Sequence, residues 1–280
     1  MDIKTIKTAY THSGKFHADD VFSGALLRLL NPEIEFVRVG RVPELTENAI
    51  VFDIGDGEFD HHQQNTPKRE NGIPYASFGL LWKKFGTMLT DETNAEQIDY
   101  KFVAPLDSHD NGISFDTLSL AVSVMNPLWN ETQDSDTAYE QAVQWASTIL
   151  KRIITKANSE TEAIQEVTLA LKNAENGIVI LSRYAPYEKV LVPSKAVFVI
   201  YPSLRGGYQI SALPVELSSR VNKLSFPKEW CNANANDLPE LTGITGFRFC
   251  HKNGFICSAE TLTDAVKIAR LTIQLSHREK

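Results

Sequence analysis

An α/β fold is predicted by three observations. The first 54 residues alternate strand-like and helix-like apolar periodicity. The middle of the chain is rich in helical spacing. After a composition change near Asn173–Gly177, β signals dominate. These patterns divide the chain into an N-terminal domain with a helical connector, residues 1–174, and a smaller α+β domain, residues 175–280.

Each element has its own signal. Ile6–Thr11 reads as a first strand. Asp19–Leu30 reads as a helix, with Val21, Phe22, Ala25, Leu26 and Leu29 on one face, and Asn31-Pro32 ends it. Ile34–Val39 and Ile50–Ile54 read as further strands, so the order strand–helix–strand points to a parallel sheet. Gln63–Pro74 is a polar loop placed to gate whatever lies beside it. Tyr75–Phe85 is a helix stopped by Gly86, and Ala95–Asp110 is helical with a break or kink at Pro105. In Thr137–Lys172 the residues Ala138, Ala142, Trp145, Ala146, Ile149 and Ile153 keep the spacing of a core-facing stripe. Ser159 followed by Glu162 is a capping box that would start a second helix. Ile178–Leu181, Val197–Tyr201, Tyr208–Leu213, Phe247–Cys250 and Gly254–Cys257 read as strands, and Leu262–Leu275 as the last helix.

Bulk properties narrow the function. The 280-residue chain carries net charge −7, unevenly: residues 1–174 hold 15 basic and 26 acidic side chains, residues 175–280 hold 13 and 9. An acidic half suits cations, and a mildly basic half suits anions. No Lys/Arg-rich tract marks a strong nucleic-acid footprint. No apolar run approaches the ~18 residues of a membrane span, and no signal peptide is visible, so a cytoplasmic location is expected. Cys231, Cys250 and Cys257 show no CxxC spacing. They read as ordinary thiols in a reducing compartment and argue against structural zinc.

Metal-ligating residue types gather in four places. The first is His12-Ser13-Gly14-Lys15-Phe16-His17-Ala18-Asp19-Asp20, between strand and helix. The second is Asp53, with Asp56 nearby, after the run Ala49–Phe52. The third is Asp60-His61-His62, and the fourth Asp107-Ser108-His109-Asp110-Asn111-Gly112. Five of the seven histidines fall in these clusters. Imidazoles and carboxylates without thiolates favour Mn²⁺ or Mg²⁺ over zinc. The set His12, His17, Asp19, Asp53, His61 and Asp107 is large enough for two cations bridged by a carboxylate. Asp20 is read as a helix cap or supporting group.

The ordered motifs Thr11–Asp20, Phe59-Asp60-His61-His62-Gln63, Leu106–Gly112 and Phe249-Cys250-His251-Lys252-Asn253-Gly254-Phe255-Ile256 resemble the DHH phosphoesterase superfamily. Within it they are similar to the MYG1 (UPF0160-like) family across nearly the whole chain. The resemblance implies a DHH-type parallel-sheet domain followed by a substrate-binding domain. It implies that His12 and His17 hold one ion, Asp19 and His61 a second, and that Asp53 and Asp107 bridge or approach both. Asp53 and His62 would be catalytic, with His62 facing the substrate phosphate. Asp60 would orient His61, and Asp20 and Asp110 would support the ligands. His251, Arg205, Arg248 and Lys252 are the candidate phosphate contacts. His17 stands where many superfamily members have Asp, and Cys257-Ser258 replaces the usual Gly-Gly of MYG1-like sequences.

The function expected is divalent-metal-dependent phosphodiester hydrolysis by a metal-bound hydroxide, as a 3′–5′ exoribonuclease or other oligonucleotide nuclease using two Mn²⁺ or Mg²⁺ ions. Two other readings fit the residues: a small-molecule phosphatase or pyrophosphatase, and a non-catalytic metal-binding regulatory protein. The partners expected are RNA, a short oligonucleotide or a small phosphorylated molecule, and no membrane. The oligomeric state is left open, with a homodimer among the options.

Overall fold

The structure, a computed structural model, describes residues 2–63 and 66–278. Gln64 and Asn65, within the polar loop read from Gln63 to Pro74, lie outside the described residues. The fold is α/β, with one parallel and one mixed sheet joined by helical connections. Contacts divide the chain into two compact units, Met1–Asn158 and Ser159–Lys280. That division falls ahead of the composition change near residue 175.

In the first unit, strands β1 (Thr8–His12), β2 (Glu35–Val39) and β3 (Ala49–Val51) form a parallel sheet in the order β2-β1-β3. Helix α1 (Ala18–Leu30) makes the β1-to-β2 crossover that parallel pairing requires. β3 is shorter than the run Ile50–Ile54 suggests. Asp53 takes φ +56°, a left-handed conformation that no strand accommodates, so the backbone turns away there.

Helices α2 (Ser77–Phe85), α3 (Glu92–Ile98), α4 (Ala104–Asp110) and α5 (Thr117–Ser123) complete the unit's cover. The segment read as one helix around Pro105 is resolved into α3, a wide π-helical turn over Asp99–Val103, and α4. Pro105 sits in the first turn of α4, where its missing N–H costs nothing; the wide turn ahead of it absorbs the lost hydrogen bond. Phe16, Phe22, Phe52, Phe78 and Leu81 form the fully buried centre.

Helix α6 runs unbroken from Ser135 to Lys172. The capping box at Ser159 starts no second helix, because the stretch contains neither Gly nor Pro to end the first. Its buried stripe is also rotated from the expected one. Ala138, Ala142 and Ala146 are buried as expected, but Trp145 is exposed, and Tyr139, Val143 and Leu150 fill the core instead.

In the second unit, strands β4 (Ile178–Ile180), β5 (Phe198–Pro202), β6 (Tyr208–Ala212), β7 (Phe247–Cys250) and β8 (Ile256–Ala259) are ordered β4-β5-β6-β8-β7. β4 and β5 are parallel; the other pairs are antiparallel. The continuous apolar run of β5 is explained by burial on both faces. Phe198 and Ile200 join the core under α10 (Leu262–Arg278), while Val199 and Tyr201 pack with Val167 and Leu191. Three short helices, α7 (Glu188–Leu191), α8 (Lys228–Asn232) and α9 (Leu238–Thr242), carry too few residues to show a period. No described helix is long and apolar enough to cross a membrane.

Candidate metal centre

The four ligand clusters meet at the C-terminal edge of the parallel sheet. β1 delivers His12 at its last residue, and α1 begins six residues later with Asp19 and Asp20 in its first turn. Carboxylates are favoured there by the helix dipole. Between them, the loop is held by Asn126, whose side chain accepts from the Phe16 N–H at 2.9 Å and donates to the Phe16 carbonyl at 2.8 Å.

Asp53 is the centre of the arrangement. It is buried, and the left-handed turn at this residue points its carboxylate back over the sheet edge. Its Oδ2 lies 3.3 Å from His12 Nε2, and its Oδ1 lies 3.3 Å from His61 Nδ1. His12 Nε2 is also 3.3 Å from Asp20 Oδ2. His61 reaches Asp110 Oδ2 at 3.0 Å through Nε2 and Asp19 Oδ2 at 3.6 Å through Nδ1.

Among the described residues, three groups are compact enough to hold a metal ion: Asp53, Asp60, His61 and His62; His12, Asp20 and Asp53; and Asp19, His61 and Asp110. Asp53 belongs to the first two, and His61 to the first and third. The residues fit a cation on a second count. Asp20 Oδ2, Asp53 Oδ1 and His61 Nδ1 are buried and make no hydrogen bond among the described residues, a costly state that an ion at these atoms would relieve. The buried His/Asp clusters can therefore coordinate a divalent metal.

The electrostatics agree. Burial lifts the Asp19 carboxyl well above the usual range, helped by the neighbouring Asp53, Asp110 and Asp107. Burial also lifts Asp20, against the pull of His12. Burial would raise Asp53 as well, but His12 and His61 hold it down at about 2. Contacts with Asp20 and Asp53 push His12 up to about 11. Burial opposes ionisation of His61, yet Asp110 and Asp53 push it up to about 11. Protons thus sit where a cation would.

The remaining expected residues fall as follows. Asp19 uses both oxygens on α2, accepting from the Ser77 N–H at 2.9 Å and the Phe78 N–H at 2.7 Å. His17 is exposed, precedes α1, and its ring lies 5.9 Å from that of His12, outside the three compact groups. Asp60 accepts from the Asp56 N–H at 2.7 Å and lies 2.7 Å from His62 Nδ1, so its side chain holds the His62 ring. The exposed His62 stacks on His61 at 4.3 Å and lines a cavity of about 430 Å³ with His12, His17 and Asp53. Asp107 is fully buried but stands apart from the compact groups. Its Oδ2 pairs with Arg69 Nη2 at 2.7 Å, and its Oδ1 accepts from the Gly79 N–H at 3.2 Å. Burial lifts Asp107 to about 7, with Arg69 acting against that rise.

In the second unit, Arg205, Arg248 and His251 come together on one cavity of about 1000 Å³, with Arg183 and Tyr184. Lys252 is exposed and outside that lining. Gly207 follows Arg205 and Gly206 with φ +69°, and a Cβ there would collide with the Ala259 carbonyl. Arg69 and Asn126 had no signal in the sequence: one lies in a polar loop, the other before a proline, and only the fold turns them inward.

Comparisons with known proteins give the family. Residues 8–273 match the family model described as "Uncharacterised protein family (UPF0160)", MYG1. The chain is 31% identical to the mouse "MYG1 exonuclease" (Mus musculus), over 94% of this chain and 84% of that protein. It is 31% identical to the human (Homo sapiens) "MYG1 exonuclease", over 94% of this chain and 85% of that protein. It is 29% identical to a "MYG1 protein" of Schizosaccharomyces pombe, over 93% of this chain and 95% of that protein. No solved structure matches. The chain belongs to the MYG1/UPF0160 family.

Proposed function

We propose that the protein is a divalent-cation-dependent phosphodiester hydrolase that removes nucleotides from the end of RNA or a short oligonucleotide in the 3′–5′ direction. The observation that carries this reading is the buried Asp53 carboxylate, which faces His12 through one oxygen and His61 through the other. A carboxylate shared by two ligand groups is the arrangement that two-ion hydrolases need. The relatives named "MYG1 exonuclease" support the substrate class.

His12, Asp20 and Asp53 would hold one Mn²⁺ or Mg²⁺, and Asp19, His61 and Asp110 the other, with Asp53 reaching the second set at His61; His17 and Asp107 stand outside both sets. Bound cations supply an acidified water and neutralise charge on the phosphoryl group. The chain's own residues do the rest. Asp60 fixes His62 through Nδ1, and the Nε2 of this cavity-lining ring would hold a proton at a phosphate or leaving oxygen. Residues 175–280 act as the substrate-binding domain, with Arg205, Arg248 and His251 contacting phosphates.

End-labelled single-stranded RNA and DNA of several lengths, incubated with Mn²⁺ or with EDTA, test this. A metal-dependent ladder shortening from the 3′ end is the expected result. Cleavage of pyrophosphate or a phosphomonoester alone would move the protein to small phosphorylated substrates. No cleavage by metal-loaded protein would leave a metal-binding regulatory role.

A further inference from the structure

All three cysteines of the chain converge on one place in the second unit, beside the candidate phosphate contacts Arg248 and His251 but with a chemistry of their own. Cys231 lies on α8, Cys250 ends β7, and Cys257 lies on β8 directly opposite Cys250. The Sγ atoms of Cys231 and Cys250 are 3.7 Å apart. The backbone fixes this approach. Phe226, just ahead of α8, donates its N–H to the Gly254 carbonyl at 3.0 Å, so the tip of the β7–β8 hairpin is tied to the start of α8. Gly254 itself, at φ +65°, lies against Cys231, where a Cβ would be 3.3 Å from its sulfur.

Two uses of clustered thiols compete: a soft metal and a disulfide. Among the described residues, the groups compact enough for a metal ion are the three carboxylate–imidazole ones, and no thiol joins them. The disulfide is closer at hand. The sulfurs must close from 3.7 Å to about 2.05 Å. Cys231 is half-buried, Cys250 is buried but still 8% exposed, and Cys257 is fully buried. We propose that Cys231 and Cys250 form a reversible dithiol–disulfide pair, oxidised by hydrogen peroxide or another hydroperoxide.

The chemistry balances with peroxide as the two-electron acceptor. Cys250 Sγ, as the thiolate, attacks one peroxide oxygen. The O–O bond breaks, and the departing hydroxide takes up the proton that Cys250 released. Cys231 Sγ then attacks the Cys250 sulfenic sulfur. The S–O bond breaks, the S–S bond forms, and the second hydroxide leaves with the Cys231 proton as water. Two thiols and one hydrogen peroxide give one disulfide and two waters; with an organic hydroperoxide the first leaving group is released as the alcohol instead. Cys250 suits the first role: S–H groups of Cys257 and Cys231 hold it below the usual thiol range, whereas burial pushes Cys231 up to about 12. The bridge would tie α8 to the hairpin that carries Arg248 and His251, both on the wall of the 1000 Å³ cavity. In a reducing compartment such a bridge is a transient, redox-sensing one rather than a structural staple.

Trypsin separates the three cysteines, onto peptides 229–248, 249–252 and 253–267. The full chain is reduced, exposed to hydrogen peroxide, alkylated and digested without reductant. Peptides 229–248 and 249–252 should be joined, free thiols in the denatured protein should fall from three to one, and dithiothreitol should restore all three. Cys257→Ser should keep the bridge and Cys231→Ser should lose it. Three persistent thiols, a bridge between 249–252 and 253–267, or a bridge only between chains would each overturn the proposal. The wild-type map decides the matter even where a variant fails to fold.

Discussion

Arg69 Nη2 sits 2.7 Å from Asp107 Oδ2, and the same guanidinium donates to both oxygens of Asp99 at 2.7 Å. Asp107 is one of the motif carboxylates, yet it is neutralised by a cation from the loop before α2. Removing one member of a buried pair costs about 3–5 kcal/mol, because the other is left buried without its partner. Arg69→Ala is therefore expected to destabilise the first unit by about that amount in urea unfolding. The double variant Arg69→Ala/Asp107→Asn should recover a large part of the loss. Equal instability of the single and double variants would mean that the Arg69–Asp99 pair carries the effect.

Asp53→Asn should lower any metal-dependent hydrolysis by at least about 100-fold, and it should lower the melting temperature of the metal-free protein, because His12 and His61 lose the carboxylate between them. Asn tolerates the left-handed backbone that Asp53 adopts at φ +56°, so the turn survives and only the charge is lost. Asp53→Ala removes the same charge but resists that φ, and its larger drop in melting temperature would separate backbone from chemistry. Full activity in Asp53→Asn would remove this residue from the site.

Mn²⁺ should raise the melting temperature, and its affinity should climb with pH. His12 and His61 without metal are pushed up to about 11, above their ordinary value of ~6.5. Their stabilisation of the metal-free fold is fully present below ~6.5 and fades as pH rises toward 11. A cation needs the free imidazole, so binding near pH 7 must expel protons. Titration calorimetry in two buffers of different ionisation enthalpy measures that release. Identical heats in the two buffers would contradict the site.

Gly79 is required where α2 meets α4, since a Cβ there would collide with the Asp107 carboxylate. Gly79→Ala should cost about 1–3 kcal/mol. Gly57→Ala, whose Cβ would meet nothing, serves as the matched control and should be nearly neutral. Comparable losses in both variants would show that chain flexibility, not the collision, is being measured.

What could be read ahead of the structure divides along physical lines. His12, Asp19 and Asp53 were legible because each stands at or near a strand end or a helix start, and local periodicity locates those edges; His61 was legible from the Asp60-His61-His62 run itself. The pairing of Arg69 with Asp107 was not, since a buried arginine in a polar loop looks like any surface one. The left-handed Asp53 was equally hidden: nothing in Phe52-Asp53-Ile54-Gly55 distinguishes a strand that continues from one that turns. Helix propensity over 135–172 was readable, but the capping box at Ser159 misled, because a local motif cannot end a helix that its neighbours continue. The three cysteines looked scattered, as strand pairing and the α8 contact are what gather them.

Asp19 offers both carboxylate oxygens to the first turn of α2. A cation drawn to Asp19 must share those oxygens with two peptide N–H groups. Ion affinity and the placement of α2 are thereby one thermodynamic quantity measured from two ends. Substitutions deep in the packing of α2, at Phe78 or Leu81, would score as ligand mutants in a metal titration although they touch no ion.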